Sequence, residues 1–351
     1  MTAAQDAAVS GEGTSAETGR GPAVVRVERP DAAAVRELAG RVIAGAAGRP
    51  LDTQLRRVAV LCHELPLALR EALVGLRLAD DTSGGLVVSG LAVHETDLCP
   101  TPATGRREDR LPGQDGYDPE LALADATLLL ITSFLGDPIS HADIEGGRLI
   151  RDVCAKRGDE TQQLATGSRG ELTYHCEDAY HDLRADWVLL LCLRNPERAA
   201  TSFANIDDIE LDSEVRSLLF EEKFSIDLDS SHQPGRLRPP TRQIAVLSGD
   251  PAQPFVCLDP EYMTKDLADG AARRALETIE GAVQQGLHDV VLETGDLFVI
   301  DNLRSVHGRR SFRARYDEKG RWLRTVHAAA DLRRSAGQRT GSHGRAVLAH
   351  L

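Results

Sequence analysis

The sequence predicts an α+β fold, in which several helices pack on an antiparallel β core of the jelly-roll kind. Two features carry this prediction. The first part of the chain has apolar residues at helical spacing, and from about residue 170 these give way to short apolar runs separated by turn signals. Each element has one apolar face to bury, and helices laid on a sheet bury both kinds.

In chain order, Met1 to about Pro22 is rich in Ala, Gly, Ser, Thr and Glu, which predicts a disordered segment (1–22) ahead of a single domain over 23–333. Ala23–Glu28 alternates like a strand, and Asp31 is read as the cap of a helix carrying Val35, Leu38, Val42 and Ile43 on one face. Further helices are expected near Glu64–Leu78 and Pro119–Phe134, with a strand at Gly85–Val93 and a polar loop at Thr101–Asp118. Strands are then expected at Glu171–Tyr174, Trp187–Arg194, Arg242–Leu247, Pro254–Leu258, Val290–Ile300 and Trp322–Ala328. One helix falls between Thr264 and Leu287, where Leu276, Ile279, Val283 and Leu287 share a face. The polar stretch 202–241 is read as a lid-like insertion, and 334–351 as a C-terminal tail.

Composition narrows the function classes. A net charge of −13 without a basic cluster argues against nucleic acid and anionic membranes as partners. No apolar stretch approaches the length that spans a bilayer, and no secretory signal opens the chain, so the expectation is a cytoplasmic protein acting on a small molecule. The six cysteines include no Cys-x-x-Cys pair, so neither a zinc ribbon nor a thioredoxin-like motif is expected, and the size and composition of the chain argue against a disulfide framework. The sequence does not specify the oligomeric state.

The chemistry concentrates in Tyr174-His175-Cys176-Glu177-Asp178. In an extended segment, residues two apart face the same way, so His175 and Glu177 can offer a nitrogen and a carboxylate oxygen to one ion. Two histidines and a carboxylate on one face of an octahedral metal leave positions for a 2-oxo acid and O₂. The missing histidine is expected at His307, at the end of a buried strand that follows Thr294-Gly295. Fourteen residues later Arg321 begins the next strand, where its fork can grip a carboxylate through parallel hydrogen bonds.

Taken in order, this set resembles the clavaminate-synthase-like branch of the Fe(II)/2-oxoglutarate oxygenases, which includes the taurine dioxygenase relatives. His175-Cys-Glu-Asp-Ala-Tyr-His181, Arg184-Ala-Asp186 and Cys192-Leu-Arg-Asn-Pro196 look most like the free amino-acid hydroxylases of antibiotic pathways, which act on L-arginine, L-lysine or L-asparagine. The similarity spans roughly Leu123 to Leu332. It implies a distorted double-stranded β-helix with Fe(II) on His175, Glu177 and His307, 2-oxoglutarate as co-substrate on Arg321, and O₂ as oxidant. Thr201, 26 residues after His175, falls where the family places a hydroxyl on the same carboxylate. Glu145 falls where these hydroxylases place a partner for the substrate α-amino group. Asp259 and Glu261, joined by Pro260, fall where the arginine hydroxylases hold a guanidinium; Arg324 is read as a clamp for the substrate carboxylate.

The implied reaction is hydroxylation of a free basic amino acid, L-arginine first, at C3. Lysine, citrulline or asparagine as substrate, or desaturation on the same core, are the alternatives. A cupin-like metal-binding module is the non-enzymatic one, and such a module needs no co-substrate clamp like Arg321. Glu177 argues against a halogenase, which replaces the carboxylate with a small residue. His141-Ala-Asp143 is a competing His-x-acid motif, but it is read as lying in a Gly/Pro-rich loop over Gly136–Gly147, without the strand that would fix two ligands.

Overall fold

A computed structural model describes residues 21–46, 49–78, 83–103, 116–232, 240–265, 267–341 and 344–348. Nearly all of the segment expected to be disordered, and most of the expected loop Thr101–Asp118, lie outside these residues.

The N-terminal part supplies helices α1 (Arg29–Ala44), α2 (Leu51–Leu61), α3 (Leu67–Leu78) and α4 (Pro119–Leu135). Pro30 sits in the first turn of α1, where a missing N–H leaves no bond unmade, so Glu28 and not Asp31 takes the cap position. The single helix expected near Glu64–Leu78 is preceded by a second, α2, with a tight turn at Cys62–Glu64 between them. Helix α4 is buried over most of its surface and is capped by the Asp118 carboxylate, which accepts from Leu121 N at 2.9 Å. Two more helices follow, α5 (Ser213–Leu219) and α6 (Gly270–Gln285). Among the described residues, no helix is long and apolar enough to cross a membrane.

The larger sheet runs, edge to edge, through β1 (Ala23–Arg26), β2 (Gly85–Ser89), β13 (Leu297–Asp301), β6 (Trp187–Arg194), β15 (Trp322–Ala329), β3 (Asp137–His141), β17 (Ala346–Val347) and β16 (Arg339–Thr340). Strand β4 (Arg151–Cys154) also pairs with β15, so the first half of β15 borders β4 and the second half borders β3. β6 and β15 are buried at every position. That is why β6 reads as a continuous apolar run up to Arg194, whereas β15 buries Arg324, Thr325 and His327 among its apolar residues. The smaller sheet orders β12 (His288–Val290), β7 (Thr201–Asn205), β14 (Ser305–Arg309) and β5 (Leu172–His175). Two hairpins complete the strands: β8 (Phe224–Ile226) with β9 (Arg242–Ile244), and β10 (Leu247–Asp250) with β11 (Gln253–Val256).

Among the described residues three larger apolar clusters hold these layers, and a small fourth joins Ile139, Ala185, Ala329 and Val347. α1–α4 pack on one face of the larger sheet through Leu128, Leu189, Leu191, Trp322 and Val326. On the other face Val188, Leu190, Phe298 and Leu323 meet Phe203 of the smaller sheet, with the Phe203 and Phe298 rings 5.3 Å apart. The third cluster lies under α6, where Ile279 and Leu276 join Tyr174, Phe224 and Val256.

Several expectations need correction. The stretch expected as a lid over 202–241 contains most of β7, then α5 and β8, so its first residues are a sheet strand; residues 233–239 lie outside the described ones. The expected tail over 334–351 contributes β16 and β17, and β17 pairs parallel with β3. The expected strand Val290–Ile300 is two strands, because a turn with Gly295 at φ 87° intervenes. Gly136–Gly147, expected as a loop, opens with β3.

Candidate active site

The two sheets and their connections enclose a cavity of about 150 Å³, lined by His175, Glu177, His307, Thr201, Arg321, Asp259, Glu261 and Glu145 among others. That size suits small molecules and excludes a folded partner. His175 ends β5 and stands directly opposite His307 of β14 in the sheet register, so a strand pair sets their separation. β14 bulges just after His307, and Gly308 is needed there: a Cβ would lie 2.4 Å from Leu172 O.

Glu177 leaves the end of β5 and is clipped in place by Asn302. Its N–H donates to Asn302 Oδ1 at 2.7 Å, while Asn302 Nδ2 donates to the Glu177 carbonyl at 3.0 Å and to the Ala185 carbonyl at 2.9 Å. The next residue, Asp178, takes a left-handed backbone with φ 52°, a conformation that costs energy outside glycine and recurs at functional sites. Glu177 Oε2 ends 3.7 Å from His175 Nε2 and 3.5 Å from His307 Nε2.

These three residues fit Fe(II). One ligand atom from each lies within 4.8 Å of the others, and two imidazoles with a carboxylate are the donor set of that metal. His175 Nδ1 donates to Thr173 O at 2.7 Å, which turns Nε2 toward the shared centre. Burial works against the Glu177 charge, but His327, His175 and His307 hold its carboxyl well below the usual range. Burial lowers His307, leaving a neutral imidazole; against the same burial, Glu177 and Asp259 raise His175 to about 9. A metal entering here therefore displaces a proton from His175.

Arg321 directly precedes β15 and is 5% exposed. Its Nε and Nη1 are buried without a hydrogen-bond partner among the described residues, and burial pushes the guanidinium down to about 10. A buried cation in that condition is costly unless an anion completes it, so the residue fits a dicarboxylate co-substrate. Thr201, buried on β7, lines the same cavity. Arg309, on β14, donates to the carbonyls of Ser168 at 3.3 Å and Gly170 at 3.0 Å.

Asp259 and Glu261 both line the cavity, and burial pushes the Asp259 carboxyl up to about 6. Glu145 lines it from a left-handed backbone position, φ 46°. Arg324 does not belong to this group. Its Nε and Nη2 each donate at 2.8 Å to Asp125 on α4, and Nη1 donates to Asp152 on β4. The reading of Arg324 as a substrate clamp is therefore corrected: the strand pleat turns it to the helix face, opposite Arg321.

His141 is likewise no competing ligand. It ends β3 with Nε2 3.2 Å from Asp178 Oδ2, and His232 Nε2 lies 3.2 Å from Asp178 Oδ1 while its Nδ1 lies 2.9 Å from Asp143. The competing motif thus supports the residue beside Glu177. Sequence reasoning missed Arg151 and His327. Arg151 Nη2 lies 2.7 Å from His327 Nε2 and 3.4 Å from Glu177 Oε1, and both residues line the cavity. The alternation of Arg321, Leu323, Thr325 and His327 along one strand was the available signal for His327.

Comparison with known proteins agrees with this geometry. The family model for the taurine catabolism dioxygenase TauD, TfdA family, matches residues 128–327. An enduracididine beta-hydroxylase from Streptomyces hygroscopicus is 39% identical over 307 residues, 81% of this chain and 87% of the relative. An L-ornithine/L-arginine 3-hydroxylase from Catenulispora acidiphila is 34% identical over 335 residues, 87% of this chain and 95% of the relative. The crystal structure of the non-heme iron oxygenase OrfP with Fe and alpha-ketoglutaric acid superposes with a TM-score of 0.81 at 33% identity, covering 93% of this chain and 99% of that one. With a match over more than half its length and relatives this similar, the chain belongs to the TauD/TfdA family and is an Fe(II)/2-oxoglutarate-dependent dioxygenase.

Proposed function

We propose that the protein hydroxylates a free basic L-amino acid, L-arginine first, at C3, within specialised (antibiotic) metabolism in the cytoplasm. The observation that carries this is the acidic pair: Asp259 and Glu261 line the same cavity as His175, Glu177 and His307. Asp259 is buried, and burial pushes its carboxyl up to about 6 against the pull of His175, so a substrate cation set on it offsets the cost of its desolvation. A guanidinium has five donors in a rigid fork, and two carboxylates satisfy it where one cannot. The printed activities of the relatives point the same way, since one acts on ornithine and arginine at C3 and a solved structure of OrfP holds (3S)-hydroxy-L-Arg.

In this reading the two sheets form a distorted double-stranded β-helix, or jelly roll. His175, Glu177 and His307 hold Fe(II), and Arg321 with Thr201 holds the far carboxylate of 2-oxoglutarate. When bound, iron with 2-oxoglutarate and O₂ supplies the oxidising power that turns a C–H bond into C–OH. The chain's own part is to bind and orient. Asp259 and Glu261 fix the cationic end of the substrate, Glu145 meets its α-ammonium, and the apolar wall of Val188, Leu190 and Leu323 limits water near the reacting carbon.

The test is a screen of the free amino acids, with ornithine and citrulline, for a 16 Da gain coupled to CO₂ release from labelled 2-oxoglutarate. Arginine should lead, and Asp259→Asn should raise its KM strongly while leaving that of 2-oxoglutarate in place. Faster turnover of asparagine or an aliphatic amino acid would refute the substrate, and a 2 Da loss would identify a desaturase.

A further inference from the structure

Among the described residues three guanidinium groups line the cavity, those of Arg151, Arg309 and Arg321. Arg321 is matched to the co-substrate, and Arg309 is tied to two backbone carbonyls. A free amino acid brings a second anion, its own α-carboxylate, and Arg324, which the sequence offered for it, faces the helices with Asp125 and Asp152. We propose that Arg151 of β4, together with Thr325 of β15, is the anchor for the substrate α-carboxylate.

This inference rests on the proposed substrate class. Arg151 and Thr325 are direct neighbours in the β4–β15 register. Thr325 is two pleat positions along from Arg321 by way of Leu323, so all three face the cavity while Arg324 faces away. The Thr325 hydroxyl oxygen is buried without a hydrogen-bond partner among the described residues. Of the Arg151 nitrogens, only Nη2 has partners among these residues, namely His327 and Glu177; Nε and Nη1 have none. The side chain is 14% exposed and lines the cavity, so its free nitrogens are open to an anion bound there. A carboxylate set on that fork and on the Thr325 hydroxyl satisfies both through charge-assisted hydrogen bonds. Because Arg151 is within 3.4 Å of Glu177, the anchored end of the substrate lies beside the candidate metal ligands. The carbon next to the anchored α-carbon is C3, so the anchor also accounts for the proposed position of attack.

The test compares L-arginine with L-argininamide, which keeps the guanidinium and the α-ammonium but lacks the carboxylate. Binding is followed by calorimetry on Mn(II)- and 2-oxoglutarate-loaded full-length protein, as wild type, Arg151→Gln, Arg151→Lys and Thr325→Val. Wild type should prefer the acid over the amide by roughly 10- to 100-fold, the scale of a charge-assisted hydrogen bond. Arg151→Gln should erase that preference by weakening the acid alone, with amide and 2-oxoglutarate affinities changing by no more than about threefold. Arg151→Lys should keep part of the preference, and Thr325→Val should lose a few-fold of it. The anchor is refuted if Arg151→Gln retains the preference, or if it weakens 2-oxoglutarate or the amide as much as the acid, which would make Arg151 a co-substrate ligand or a support for Glu177. If wild type binds no basic amino acid, the proposed substrate class is what fails, and the anchor falls with it. Loss of the preference in wild type alone, with arginine still bound, sinks only the anchor.

Discussion

Strand β15 and the residue that leads into it place a buried arginine on each face of the larger sheet. On the helix face, Arg324 meets Asp125 in a two-pronged contact and Asp152 beside it; burial works against its charge, but the two carboxylates hold it well above its usual range. On the cavity face, Arg321 has no carboxylate within ion-pair distance among the described residues, leans over the Phe312 ring at 5.6 Å, and is pushed down by burial. Residue type and depth are the same, and only the partners differ. A buried cation with its counter-charges built in is part of the fold, whereas one without them is a vacancy shaped for an anion. The lesson extends to any strand that separates a core from a site: partners, and not burial, tell structural charges from binding ones.

Arg324→Ala should have the largest effect, because it strands Asp125 and Asp152 without a cation: a loss of about 3–5 kcal/mol in unfolding free energy by urea titration. If stability were unchanged while 2-oxoglutarate binding fell, the two faces would have been assigned the wrong way round. Arg321→Lys should instead weaken 2-oxoglutarate by about 1.5–3 kcal/mol, since a point charge cannot reproduce the fork, and an unmoved KM for the co-substrate refutes its role. Arg321→Met should leave the Tm without co-substrate equal to or above wild type, as it deletes a buried charge with no partner to strand; a large drop in Tm would show a structural pairing that the geometry does not contain. The smallest effect belongs to Thr201→Val. Loss of one hydroxyl hydrogen bond to a carboxylate that Arg321 still neutralises costs about 1.5 kcal/mol, read as a roughly tenfold rise in the KM for 2-oxoglutarate with kcat nearly constant.

Much of this contrast was legible in the sequence, and the gaps have physical reasons. The His175-x-Glu177 spacing, the trailing His307 and Arg321 sit on strands whose period of two makes facing readable from spacing alone. The apolar run of β6 announced itself because both faces of that strand are covered. By contrast β3 begins at Asp137-Pro138 just after Gly136, and such residues read as a turn. β4 is four residues long with charges at Arg151 and Asp152, so the same blind spot hid the arginine beside Glu177. Arg324 was misplaced because the need for a countercharge was weighed without the pleat, which turns alternate residues to opposite faces. The supporting role of His141 and His232 depends on contacts between residues 37 and 54 positions from Asp178, a separation that no local pattern encodes.

The pairing of β17 with β3 gives the far C-terminal region a protective task. β3 carries His141 at its end, and β17 covers its outer edge from Ser140 to His141, with β16 laid outside β17. A protein cut before Arg339 would present β3 as a bare strand with unpaired N–H and C=O groups, a template on which a second copy can add its own strand. For anyone handling the enzyme, strands β16 and β17 are therefore a guard against self-association, and a nick before them would be seen first as loss of solubility rather than as loss of iron.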